Sequence, residues 1–221
     1  MAARRDRDRD PAWLSETNRV EAFSDGVFAI VITLLVIDVR PPATQSGRLL
    51  HDLLAQWPTY LAYLTSFAYI GVIWLNHHAL FRRVQRVDKG LNLVNLLLLL
   101  TTAFLPFPTA VLSAAVQEGD RINTSVAVAV YALVAGLMCA SWLLIFGYLA
   151  RRPELLTGAD SGFFRSEQAR AVLGMAGYGA AGVVAFFTPV AVPLVVLLAL
   201  PAFYYVTSHG LTGLPARRRP R

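Results

Sequence analysis

Arg19-Val20-Glu21-Ala22-Phe23-Ser24-Asp25-Gly26 runs without a break into Val27-Phe28-Ala29-Ile30-Val31-Ile32-Thr33-Leu34-Leu35-Val36-Ile37. The second half of this stretch reads as membrane-spanning. The first half places an arginine, a serine and an aspartate at its mouth. A carboxylate at the bilayer centre costs roughly 2.5–3.5 kcal/mol. A charge placed there implies a partner or a permeation path.

Working outward, the 221-residue chain is 56 % hydrophobic. Its apolar residues fall in blocks of about twenty, the length that crosses ~30 Å of hydrocarbon. Six blocks emerge, at about 20–39, 57–81, 91–116, 124–150, 171–188 and 190–208. Lipid requires every backbone group to be satisfied internally, so each block is predicted to be helical and the fold all-α. Leu49, Leu50, Leu53 and Leu54 recur at helical spacing ahead of the second block. Pro106 and Pro108 are expected to bend the third. The expected organisation is a disordered tail over 1–18, a six-helix unit over 19–209 and a basic tail over 210–221.

Charge sets the orientation. With the N-terminus in the cytoplasm, 17 of the 20 Lys and Arg lie inside, in clusters at 4–19, 82–89, 151–170 and 217–221. Arg40, Arg48 and Arg121 lie outside. This distribution obeys the positive-inside rule at every loop and requires an even number of spans. It also accounts for the net charge of +6 without nucleic acid as a partner. No cleavable leader is expected, because Asp38, Arg40 and two prolines follow the first apolar run with no small-residue cleavage site.

Two faces are legible on the first helix. At about 100° per residue, Ile30, Thr33, Leu34 and Ile37 share one stripe, which Phe23 extends. Asp25 points about 140° away from Ile30, toward the subunit's own bundle. The Asp25 face is expected to anchor the helix. The Ile30 face is left to lipid, another helix or a pore, and periodicity does not choose among them.

A second polar cluster, Trp74-Leu75-Asn76-His77-His78, ends the second block beside Arg82 and Arg83. Trp74 and His77, three apart, are predicted to share a face. Drawn to scale, they lie at the depth of Ser24 and Asp25, so a bond from His77 to Asp25 or Ser24 is expected. A polar lock, a titratable pair and a metal site all use such residues. No carboxylate or cysteine at i+3 or i+4 completes a metal set. Asn92 and Asn95 open the third block and are read as inter-helix or capping amides. Gly174, Gly177, Gly179 and Gly182 allow close helix approach in the fifth. Asp38 is either an acidic group at a pore entrance or a solvated helix end. Cys139, the single cysteine, is expected in the core. No phosphate-cradling loop, nucleophile elbow or cofactor motif is present, so no enzyme is expected.

Arg19-x-x-x-Phe23-Ser24-Asp25 at the head of six spans resembles the signature of the transmembrane protein 175 family of potassium channels. Trp74-x-x-His77-His78 is similar to a second feature of that family. The resemblance implies a bacterial inner-membrane homotetramer with both termini cytoplasmic. The first helix of each subunit lines a potassium pore. It implies an apolar constriction at Ile30, with further layers at Thr33 or Leu34 and at Ile37. Arg19, Phe23, Ser24, Asp25, Trp74 and His77 would form the network that holds the pore helix. From a different class, a proton-coupled secondary transporter using Asp25 and His77 is the alternative.

Overall fold

The computed structural model describes residues 12–158 and 161–207. Eight α-helices follow in order: α1 Ala12–Leu34, α2 Leu49–Ala55, α3 Trp57–Phe81, α4 Lys89–Ala103, α5 Pro106–Glu118, α6 Arg121–Ala150, α7 Ser161–Val184 and α8 Ala191–Val206. A tight 3-10 turn, Leu35–Asp38, extends α1. Among the described residues there is no strand; a single bridge joins Val84 to Leu156. Four stretches are long and apolar enough to cross a membrane: Glu16–Asp38, Trp57–Phe81, Lys89–Glu118 and Arg121–Ala150. Helix α8 is apolar but shorter.

Three boundaries differ from those expected, each for a physical reason. Helix α1 begins at Ala12, within the tail expected to be disordered. Thr17 is buried there and its hydroxyl donates to the Gln85 carbonyl, so tertiary contact extends the helix. Residues 1–11 and the basic tail at 210–221 lie outside the described residues. The bend expected at the prolines is a break between α4 and α5. Pro106 has no N–H to donate, and the chain turns through Leu105 N–H to Thr102 O and Phe107 N–H to Phe104 O. Helix α7 starts ten residues before the expected 171. Its charged first turns are held because Arg170 and Glu167, both buried, pair at 2.6 Å.

Helix starts follow local chemistry. The Asp88 carboxylate caps α4 by accepting from the Leu91 N–H at 2.8 Å. Asp120 caps α6 by accepting from Asn123 N–H at 2.7 Å. Gly119, at φ 74°, takes the left-handed conformation that closes α5.

Helix α6 forms the centre of the bundle, against α4, α5, α7 and α8. Two glycines of α7 set its close approaches. A Cβ at Gly182 would press on Ala132 of α6, and one at Gly174 would strike the Tyr204 hydroxyl of α8. Cys139 is buried, 3.4 Å from that hydroxyl. Helices α3 and α5 are stitched by hydroxyls, Thr59 to Ser113 at 2.8 Å and Ser66 to Thr109 at 2.9 Å. Where backbone cannot reach water, such side-chain pairs satisfy groups that would otherwise be orphaned. At the opposite end of α3, Gln85 N–H donates to Leu155 O and Thr157 N–H to Arg83 O. The linkers after α3 and after α6 therefore lie at the same end of the bundle.

Candidate functional site: the α1 face and its polar root

Helix α1 divides cleanly. Ser24, Phe28, Val31 and Leu35, spaced 4, 3 and 4 apart, are buried against α3 and α4. On the other side Phe23 is 57 % exposed, Ile30 60 %, Leu34 41 % and Ile37 60 %. Thr33 lies on this exposed side. Its hydroxyl donates to the carbonyls of Ile30 and Ala29, at 2.8 and 3.0 Å. The oxygen lone pairs remain directed off the helix. The stripe read from the sequence is thus a continuous exposed face, with no packing partner among the described residues.

Besides the Thr17 hydroxyl, three side-chain attachments among the described residues hold the root of α1. Trp74 Nε1–H of α3 donates to Asp25 Oδ1 at 2.9 Å. His78 Nδ1 meets Glu21 Oε1 at 2.7 Å. The third is a chain of three buried residues. Asn95 Nδ2–H of α4 donates to Ser24 Oγ at 3.0 Å, and His77 Nε2 lies 2.9 Å from Asn95 Oδ1. Ser24 O–H donates onward to the Val20 carbonyl at 2.9 Å.

The donor inventory assigns this chain a direction. Because the Asn95 amide nitrogen serves Ser24, its oxygen must accept, so His77 donates from Nε2. His77 Nδ1 is buried without a hydrogen-bond partner. It therefore carries no proton, since a second N–H would be left unpaired in a dry site. The ring is clasped by Phe81, stacked at 4.4 Å, and by the edge of Phe28 at 5.2 Å.

The geometry corrects several expectations. His77 bonds neither Asp25 nor Ser24 directly; Asn95 stands between it and the serine. An amide reaches from α4 to both neighbours, whereas the imidazole is packed too deep to do so. Trp74 and His77 do share the face toward α1, Trp74 at Asp25 and His77 against Phe28. Trp74 turns to Asp25 and stacks with His78, centroids 6.3 Å apart. The two histidines thus go to different partners. Arg19 and Phe23, expected in the network, make no side-chain hydrogen bond within the described residues. Arg19 is exposed beside Phe23, along a groove with Lys89 and Asn92. Glu21 and its pairing with His78 escaped the sequence reading; a Glu four residues before Asp25 was the available signal. Asn92 lines the outer groove and is not the cap of α4, a task Asp88 performs.

Comparison with known proteins decides the family. The family model described as endosomal/lysosomal potassium channel TMEM175 matches residues 19–106. A protein of Streptomyces collinus named as a potassium channel is 44 % identical over 204 residues, covering 91 % of each chain. The chain belongs to the TMEM175 family. The crystal structure of a lysosomal potassium-selective channel TMEM175 homolog from Chamaesiphon minutus superposes with TM-score 0.76 and 35 % identity, over 88 % of this chain and 98 % of that one. Mouse TMEM175, named as an endosomal/lysosomal proton channel, is 39 % identical over 129 residues, 52 % of this chain and 26 % of its own. The TMEM175 match spans every residue of the polar root, from Glu21 through Trp74 to Asn95. The chain is accordingly a multi-pass, all-helical membrane protein.

Proposed function

We propose that the protein is a potassium-preferring cation channel of the bacterial inner membrane, in which α1 of four identical subunits surrounds a central pore. One observation carries this reading: an unpartnered α1 face running from Phe23 to Ile37, opposite a face sealed into the subunit. Other helices also expose apolar side chains, but α1 joins such a face to the polar root at Ser24 and Asp25, which supports placing it on the axis. Its relatives named as potassium channels supply the ion.

Ile30 forms the constriction, with Thr33, Leu34 and Ile37 as the layers beyond. A closed ring of isoleucines excludes water and stops ions by dewetting. Conduction requires that ring to widen until a partly hydrated cation fits. Discrimination then rests on dehydration cost and on the Thr33 oxygens, whose lone pairs face the axis. Arg19 and Phe23, exposed and without a hydrogen-bond partner among the described residues, hold neighbouring copies together along the α1–α4 groove.

The six-span unit over 19–209, with α4 and α5 as one broken span and α7 and α8 as the last two, places both ends in the cytoplasm. The pairing of the linkers after α3 and α6 supports this arrangement, since both then lie on the positively charged side. The test is ion flux from purified protein in liposomes. Potassium flux well above sodium flux is expected; absence of flux, or equal flux, overturns the reading.

A further inference from the structure

A groove runs between α3 and α8 on the outside of the bundle. Its inner part, of about 630 Å³, is lined on α3 by Leu64, Ala68, Gly71 and Leu75 and on α8 by Leu198 and Ala202. Its outer part, about 250 Å³, shares Thr65 and Leu198 with the inner and ends at Trp57. The two are therefore continuous from Trp57 to Trp74, about 26 Å of helix at 1.5 Å per residue. Small side chains keep the floor low: Gly71 has nothing within 4 Å of where its Cβ would stand. Trp74 and Tyr205 flank the inner end, as aromatic residues do at a membrane interface.

Charge identifies what lies in it. Arg82 stands seven residues after Leu75, on the same face of α3 and about 10 Å further along the axis. Arg82 is exposed, and its side chain makes no ion pair or hydrogen bond among the described residues. An apolar trough with a guanidinium about 10 Å beyond its inner end, unpaired among the described residues, matches a molecule with a hydrocarbon chain and an anionic head. We infer that the α3–α8 groove binds an anionic phospholipid of the cytoplasmic leaflet, its acyl chain along Gly71 and its headgroup on Arg82. The site uses the membrane placement of α3 and does not depend on Ile30 lying in a pore. At its inner end the chain would touch the Trp74 ring, whose N–H holds Asp25 of α1.

The experiment uses the full-length protein in phosphatidylcholine vesicles containing a minor fraction of phospholipid with brominated acyl chains. The probe is brominated phosphatidylglycerol or brominated phosphatidylcholine. The signal is Trp74 fluorescence, taken as the difference from Trp74→Phe. Brominated phosphatidylglycerol is expected to occupy the site about fivefold more readily, the worth of one arginine near a membrane surface. Arg82→Gln should abolish that preference. Gly71→Leu, which fills open space, should remove most quenching by both lipids. Equal quenching by the two lipids in the unaltered protein overturns the proposal. So does dissociation of the assembly by Gly71→Leu, which would give the groove to a second copy of the chain. Potassium flux in the same vesicles keeps the two readings apart. Flux without lipid preference removes the site and spares the pore, and lipid preference without flux does the reverse.

Discussion

The indole N–H of Trp74 donates to Asp25 at 2.9 Å, joining α3 to the carboxylate that opens the apolar run of α1. The bond lies at a half-open position, which limits its worth to about 1 kcal/mol, the usual net value for a protein hydrogen bond. Trp74→Phe keeps the ring and deletes the donor. We expect a slightly lower melting temperature for the purified assembly and unchanged potassium-over-sodium preference. Asp25→Ala should impair assembly more than selectivity. A well-assembled, fully stable Asp25→Ala protein would show that the carboxylate is not an anchor.

Asn95 is expected to be the costliest polar position. Asn95→Leu strands the His77 N–H and the Ser24 oxygen in a buried site, and each orphaned group costs about 1–3 kcal/mol. Ser24→Ala removes only one partner and should cost less. Thermal unfolding of the two variants in the same detergent ranks them, and the reverse order would contradict the directed chain.

Ile30→Asn places a polar group at the proposed constriction. Single-channel recordings should show larger conductance and weaker ion preference. Unchanged conductance and preference would take Ile30 off the axis.

Thr33→Val deletes the outward-facing oxygen at nearly constant shape. Potassium-over-sodium preference should fall while assembly is retained, read from reversal potentials under mixed-ion conditions. A variant as selective as the parent would leave dehydration as the whole basis of selection.

Asp88 links stability to acid pH. Burial alone would raise its pKa, but hydrogen bonds from the Leu91 amide and the Tyr148 hydroxyl outweigh it and hold the carboxyl below the usual carboxylate range. A depressed folded value means the stabilisation is complete above the unfolded pKa, about 3.9. It is lost as pH falls through the folded value. Asp88→Ala should cost about 1 kcal/mol at neutral pH, the usual worth of an N-cap. Melting curves of the parent and variant should converge at strongly acid pH. Gly90→Ala should reproduce part of the loss, because a Cβ there collides with the Tyr148 ring.

The span of α3 was legible to the residue, since Trp57-Pro58 marks its start and the arginines after Phe81 its end. The exposed and buried sides of α1 were legible too, because a single helical period separates them. The partners at its root were not. Periodicity tells where a side chain points and says nothing of how far a neighbouring helix stands. His77 was therefore assigned to Asp25 or Ser24, the polar groups at its own depth, when an amide on α4 fills the gap. The hydroxyl pairs between α3 and α5 were invisible for the same reason. Thr59 and Ser113 carry no motif and meet only because the two helices pack. The early start of α7 was hidden by Glu167 and Arg170, two charges that read as loop until they are seen to neutralise each other.

The Ser24–Asn95–His77 chain ends on the carbonyl of Val20, a group with no hydrogen to pass on. At its other end, the bare nitrogen of His77 has no hydrogen-bond partner among the described residues. A proton entering this string would find no onward acceptor at either end, so the string is built as a lock between α1, α3 and α4 and not as a relay. In the proposed channel the ion path follows the outward surface of α1, on the other side of the helix from this string.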